Sequence, residues 1–319
     1  MEKDTNIPPG DVTQDFGLGS RVVQKSKLRF LNRDGSFNVR RRGQSLLRSL
    51  NPYHTLLSIP WTKFFLVVIA SYFLTNIFFA FGYLLCGPGA LRGAEGITLT
   101  EQFFESFFFS VQTLSTIGYG RMAPHGFAAN ILVTFEVLIV LLGFALATGL
   151  LFARFSRPIA KIIYSDKAII APYKGITALE FRIVNGRNNE LISVEASVTL
   201  SMNMDVRGET VRKFFPLELE RPSVTFFPLH WVIVHPITEK SPLYGKSRKF
   251  LETSDAEILI LLAGVDETFA QLVHSRSSYK HHEIVWGAKF TDIFLDGGDG
   301  MLSIDLGKLH EVEVAELPV

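Results

Sequence analysis

Five residues, Thr116-Ile117-Gly118-Tyr119-Gly120, have types and spacing suited to chemistry done by the backbone itself. The two glycines tolerate backbone angles that L-residues avoid, so successive carbonyls are free to turn toward one axis. Rings of such carbonyl oxygens take the place of water around a bare cation. The Thr116 hydroxyl offers one more oxygen at the inner end of the row. So short a run recurs by chance in soluble proteins, and its meaning rests on the elements that hold it.

Two long apolar runs flank it. Trp61 to Leu85 carries a single charge, Lys63, and Ala128 to Phe155 is interrupted only by Glu136 and Arg154. At about 1.5 Å per residue each run crosses a hydrocarbon core of roughly 30 Å. Few soluble helices are this apolar all round, which makes burial in a soluble core the weaker reading. Between the runs, Thr100-Glu101-Gln102 is suited to cap and charge the start of a helix over Phe103 to Thr113. That helix is too short to span and stops just before the glycine run. It reads as a re-entrant pore helix whose C-terminal dipole favours a cation, since irregular backbone at membrane depth is tolerated where it lines a water-filled path.

Basic residues set the orientation. Arg40, Arg41, Arg42 and Arg48 precede the first run and Arg154, Arg157 and Lys161 close the second, against Arg92 and Arg121 between them. The positive-inside rule places both termini in the cytoplasm, in a multi-pass protein with the glycine run near the outer face. No signal peptide is visible, because the first apolar stretch is not followed by a small-residue cleavage site. One chain cannot enclose a carbonyl ring, so four copies around an axis are expected, a homotetramer lined by the second span.

From Ser165 the character changes. A mean hydropathy of +0.24 averages a very apolar membrane part with a polar remainder. Glu190 to Asn203 alternates, with Ile192, Val194, Ala196, Val198, Leu200 and Met202 on one face, which predicts a half-buried strand. Thr177 to Val184, Val224 to Val234, Glu257 to Leu262, Glu283 to Lys289 and Met301 to Leu306 are further strand candidates, separated by turn-rich pieces. Many short strands without a long helix between them suggest a β-sandwich.

With those elements in place the chain resembles the prokaryotic inward-rectifier potassium channels of the KirBac family. Thr116 to Gly120 is similar to the family's selectivity filter, and Ala153-Arg154-Phe155-Ser156-Arg157-Pro158 to the end of its inner helix. Ser241-Pro242-Leu243-Tyr244, Arg276-Ser277-Ser278-Tyr279 and Glu283-Ile284-Val285-Trp286-Gly287 resemble motifs of its cytoplasmic domain, in the family's order. The resemblance runs from about Pro52 to the C-terminus. It implies a membrane α-helical pore domain (two transmembrane helices, re-entrant pore helix and filter) followed by an all-β immunoglobulin-like cytoplasmic sandwich. It also implies a slide helix before the first span. Leu46, Leu47, Leu50, Tyr53, His54 and Leu57 recur at helical spacing there, with Pro52 set to kink or restart the helix. The expected division is a tail over 1–44, the interfacial helix over 45–59, the pore domain over 60–157 and the β domain over 158–319.

The family pattern also assigns roles. Phe144, Thr148 and Phe152 lie on one slowly drifting face of the second span. Phe144 matches the cavity position where strong rectifiers carry an acid, so weak polyamine or magnesium block is expected there. Phe152 matches the bulky residue that narrows the inner mouth, an apolar gate that excludes water. Glu136, the acid within the second span, faces the upper cavity or pairs behind the filter with Gln112, where many relatives carry an acid. Arg48, Arg154, Arg157 and Lys161 form a basic collar of the kind that attracts anionic lipid head groups, at about 1 kcal/mol per residue. Ala270 and Gln271 align with the loop that constricts the cytoplasmic pore.

Other chemistry is not supported. His281 and His282, read as neighbours on a strand, point to opposite faces and make joint metal ligation awkward. Cys86 is the only cysteine, which excludes an intrachain disulfide and leaves out the cysteine pair of animal relatives; a bacterial inner membrane fits. No nucleotide-binding glycine motif is present, so neither an enzyme nor a cofactor is expected, only K+ as the permeant ion at Thr116, Ile117, Gly118 and Tyr119. A net charge of +1 says nothing about partners, because the charges are unevenly placed; the expected partners are other copies of the chain and membrane lipid, anionic head groups included, and not nucleic acid. Two rival readings are a membrane-anchored sensor, for which the glycine run would serve no purpose, and a channel that does not choose among cations.

Overall fold

The computed structural model describes residues 29–38, 52–158, 160–187, 190–206, 208–227, 229–296 and 302–318. Arg48, the expected start of the interfacial helix at 45 and the Arg40–Arg42 cluster lie outside the described residues. The chain divides into two compact units, one over 42–157 and one that joins 1–41 with 158–319.

The first unit is helical. A short helix, α1 (Pro52–Ser58), begins at Pro52, where a missing N–H costs nothing, so the proline starts a helix there. Next come α2 (Trp61–Leu85), α3 (Leu99–Leu114) and α4 (Gly126–Phe155), with a two-residue ladder of β1 (Leu91–Arg92) on β2 (Ala123–Pro124). α2 and α4 are long and apolar enough to cross a membrane. α3 has 16 residues, about 24 Å, and stops short of that distance. Its cap is Thr98 rather than Thr100. The Thr98 side chain accepts from the Glu101 N–H, and the Glu101 carboxylate accepts from the N–H groups of Thr98 and Ile97 at 2.9 Å. This capping box sets the helix start one turn earlier than the acidic cluster suggested. Phe79, Tyr83, Leu91, Phe109, Met122 and Ala129 form the core that joins the three helices. Gly82 lets α2 approach α4 closely, because a Cβ there would meet Leu132 at 2.8 Å.

The second unit is β-rich. Its strands are β3 (Ile162–Tyr164), β4 (Ala168–Tyr173), β5 (Ile176–Asn185), β6 (Leu191–Val206), β7 (Glu209–Leu217), β8 (Ser223–Phe226), β9 (His230–Pro236), β10 (Glu257–Asp266) and β11 (Gln271–Lys280), with a short helix α5 (Arg248–Thr253) before β10. Shorter strands follow: β12 (Ile284–Trp286), β13 (Ala288–Phe290), β14 (Phe294–Asp296), β15 (Leu302–Ile304) and β16 (Val312–Val314). One sheet has the order β11-β10-β6-β7 with β8 on β6, and the other β12-β4-β5-β3 with β9 on β5. Their inner faces share one core that includes Phe181, Ile183, Leu200, Ile258, Trp231 and Tyr279.

Several strand expectations change. Val224 to Val234 is two strands, because β8 joins the first sheet and β9 the second. Glu283 to Lys289 is also split, at Gly287, whose φ of 67° breaks the ladder. Met301 to Leu306 shortens to β15, followed by a 3-10 turn over Leu306–His310. The alternation in β6 slips at Ser193, where a φ of 49° accompanies a register irregularity, so Leu191 and not Ile192 is buried. Residues 29–38 form a hairpin on the sheet. Leu31 is buried, the Phe30 and Leu31 N–H groups donate to the fully buried Glu257 carboxylate at 3.0 and 3.1 Å, and Arg29 pairs with Glu283 at 2.5 Å.

Candidate ion pathway

The C-terminal end of α3 delivers the chain into the glycine run. The Ser115 N–H donates to the Val111 carbonyl, and the Ile117 N–H reaches back to the Gln112 carbonyl at 2.9 Å, so the run is pinned to the helix end. Beyond it the backbone alternates. Thr116, Gly118 and Gly120 have φ of 57°, 56° and 80°, whereas Ile117 and Tyr119 stay in the ordinary negative range. Alternation between left- and right-handed conformations turns successive carbonyls to the same side, the arrangement a carbonyl row around a cation needs. A β-branched residue in the left-handed region is strained, so Thr116 is held there by its surroundings. Ile117 and Tyr119 are 52% and 74% exposed on the single chain, which leaves this segment uncovered by its own chain.

In the segments that flank the glycine run, the Glu105 carboxylate accepts from the N–H groups of Glu95 and Gly96 at 3.0 and 2.9 Å and pairs with Arg121 at 3.6 Å. Both charges partly face solvent, so this pair organises the loop more than it stabilises it.

Along α4, Phe144 and Phe152 are 76% and 73% exposed and Thr148 is exposed. Glu136 does not join them. It has no exposed surface, and its carboxylate accepts from Tyr83 Oη and Ser110 Oγ, each at 2.5 Å. The cavity-facing expectation for Glu136 is therefore corrected, and its partner on the pore helix is Ser110 rather than Gln112. Eight residues of α-helix rotate by about 80°, which takes Glu136 off the Phe144 stripe and toward α2 and α3.

The basic collar is not uniform. Arg154 is engaged within its own unit: its guanidinium donates to the carbonyls of Leu56 and of Ile59, the latter at 2.7 Å. It also stands over the rings of Trp61 and Phe64, at 4.4 and 4.6 Å. It ties α1 and the start of α2 to the end of α4, with two donors and a flat face that a planar guanidinium offers at once. Arg157 and Lys161 are exposed.

In the β-rich unit, Ala270 (φ 49°) closes the hairpin between β10 and β11, and Gln271 opens β11. Phe269 and Leu272 beside them are exposed. His281 and His282 lie in a 3-10 turn, not on a strand, with their rings edge to face at 5.2 Å. Among the described residues no group of three His, Cys, Asp or Glu side chains is placed to hold a metal.

Comparison with known proteins gives the family. Residues 66–157 match a family model described as ion channel, and residues 162–319 match one described as inward rectifier potassium channel C-terminal domain. The inward rectifier potassium channel Kirbac3.1 of Paramagnetospirillum magnetotacticum is 40% identical over 288 residues, which is 90% of this chain and 96% of that protein. The chain belongs to the inward rectifier potassium channel family. It is of the prokaryotic kind, an ion channel and not an enzyme. The G protein-activated inward rectifier potassium channel 3 of Homo sapiens is 29% identical over 316 residues, 90% of this chain and 78% of that protein. Among solved structures, the sporulation control protein Spo0M of Bacillus subtilis overlaps at a TM-score of 0.22 and 9% identity, covering 43% of the channel and 59% of that chain, and carries no argument. The first matched stretch covers most of the helical unit and the second most of the β-rich unit, whereas α1 and the hairpin of residues 29–38 lie outside both.

Sequence reasoning missed Tyr83, Ser110 and Trp61. Each carries a polar or aromatic tip inside an apolar stretch, a signal too common to single out without the fold.

Proposed function

We propose that the channel is a homotetramer that selects potassium with the carbonyls of Thr116, Ile117, Gly118, Tyr119 and Gly120. The observation that carries this reading is the alternating backbone hand from Thr116 to Gly120, seated at the end of a helix too short to span. Four copies around an axis would close the carbonyl rings and cover the apolar faces of α4 left open on one chain. K+ is the permeant ion, and no cofactor takes part.

Phe152 forms the inner gate by apolar constriction, and Phe144 and Thr148 line the cavity beneath the filter. The β-rich unit lies in the cytoplasm, with Ala270 and Gln271 at its constriction. Both termini are cytoplasmic and the membrane is a bacterial inner membrane. Exposed Arg157 and Lys161, together with Arg48, meet anionic head groups and make gating sensitive to lipid, whereas Arg154 acts inside the protein. Functionally the boundaries are a tail over 1–44, an interfacial helix over 45–59, the pore over 60–157 and the β domain over 158–319.

Flux into liposomes holding the purified channel tests the reading, with potassium, sodium and a bulky organic cation compared and barium as blocker. Potassium flux that barium stops and sodium does not share is the expected result. Equal sodium and potassium flux would defeat selectivity and leave a channel open to cations in general.

A further inference from the structure

Glu136 has a place that the cavity and gate do not account for. Its two carboxylate oxygens are each held by a hydroxyl from a different element: Oε2 accepts from Tyr83 of α2 and Oε1 from Ser110 of α3, both at 2.5 Å. The three side chains are fully buried or nearly so. The Tyr83 ring stands edge-on to Phe109 at 5.1 Å within the core that joins the helices, so the hydroxyl has little freedom to leave. One side chain of the second span thus bolts both the first span and the pore helix.

The link to the ion path is short. Ser110 lies two residues before Gln112, whose carbonyl accepts from the Ile117 N–H. A shift of α3 along its axis would carry that carbonyl and the strained Thr116 with it. Constellations of this kind tolerate displacements of only about 0.5 Å.

We infer that Glu136 is a positioning residue for ion selection, setting α3 and through it the carbonyl row against both spans. This rests on the reading of Thr116 to Gly120 as a potassium-selective filter.

The test uses the full-length channel in liposomes and reads the sodium-to-potassium flux ratio beside the melting temperature. Wild type is compared with Glu136→Gln, Ser110→Ala, Tyr83→Phe and the double variant Glu136→Gln with Ser110→Ala. The loss of one buried hydrogen bond and of its partner's satisfaction sets the scale, so Glu136→Gln and Ser110→Ala are each expected to raise the ratio roughly tenfold. The double variant should do little more than either single one, because the groups act as a unit. A packing role would lower the melting temperature and leave the ratio unmoved, and an unmoved ratio in Glu136→Gln and Ser110→Ala overturns the inference. Should Glu136→Gln fail to assemble, Ser110→Ala decides alone, since alanine suits a helix interior. A wild type that passes sodium as freely as potassium sinks the filter reading and this inference with it. A selective wild type beside unchanged variants sinks only the role of Glu136.

Discussion

Thr116 sits at a φ of 57° and Gly118 at 56°, yet the two tolerate change differently. A Cβ at Gly118 would meet nothing within 4 Å, so the penalty there is conformational and not a clash. Gly118→Ala should favour a flipped peptide and abolish potassium flux while the protein still assembles; retained flux in liposomes would contradict the carbonyl assignment. Phe144 gives a second residue-scale outcome. Wild type is expected to show weak spermine block, and Phe144→Asp to strengthen it at least tenfold by placing a carboxylate in the cavity. Equal block of the two proteins would refute a weakly rectifying cavity. The alternating backbone of the glycine run was legible in the sequence because glycine marks left-handed positions, whereas its role rests on the helices around it. Glu136 was legible as unusual but not in its partners, since Tyr83 and Ser110 reach it only once three helices are packed.

At the scale of elements, the two spans were readable to within a few residues, because apolarity over that length has few other uses. The strap between α1 and α4 was not, since it joins Arg154 to backbone carbonyls that no pattern marks. Arg154→Lys keeps the charge but loses the two-carbonyl fork and the stacking on Trp61, and should cost about 1–3 kcal/mol of stability in thermal unfolding. Binding to anionic vesicles should be nearly unchanged in that variant and should weaken in Arg157→Ala with Lys161→Ala; the reverse pattern would return Arg154 to the lipid surface. The β strands were harder to delimit. β8 and β9 read as one run because both are apolar, and only their pairing with different sheets separates them.

For the molecule as a whole, the buried His235 and the half-buried Glu180 give the β-rich unit opposite responses to pH. Burial pushes the His235 imidazole below its ordinary pKa of 6.5, and its nitrogens lie 2.5 Å from the Glu218 carbonyl and 2.7 Å from Ser241 Oγ. Its contribution is fully present above that value and is lost as pH falls through 6.5 and below. Glu180 is the converse: burial, and then the nearby Glu220 charge, raise it from 4.5 to about 7. Its protonated form is favoured by folding, so stability is lost as pH rises from 4.5 through about 7. Glu180→Gln, neutral throughout, should therefore melt several degrees above wild type at pH 8 and level with it near pH 5. A difference that does not vary with pH would remove Glu180 as the cause.

The hairpin of residues 29–38 has a consequence for how the chain is made. The β-rich unit is discontinuous in sequence, with the membrane unit inserted between the part that holds this hairpin and the rest. During synthesis the hairpin emerges before either span and before the strands that hold it. Its anchors, Glu257 and Glu283, appear only after both spans have been inserted and most of the sandwich has been translated. Folding of this unit therefore closes on its N-terminus last, against the usual order in which early segments settle first. A C-terminal fragment that starts after the second span would bury the Glu257 carboxylate without two of its N–H donors. A peptide of residues 29–38 supplied in trans should dock on such a fragment and restore its stability.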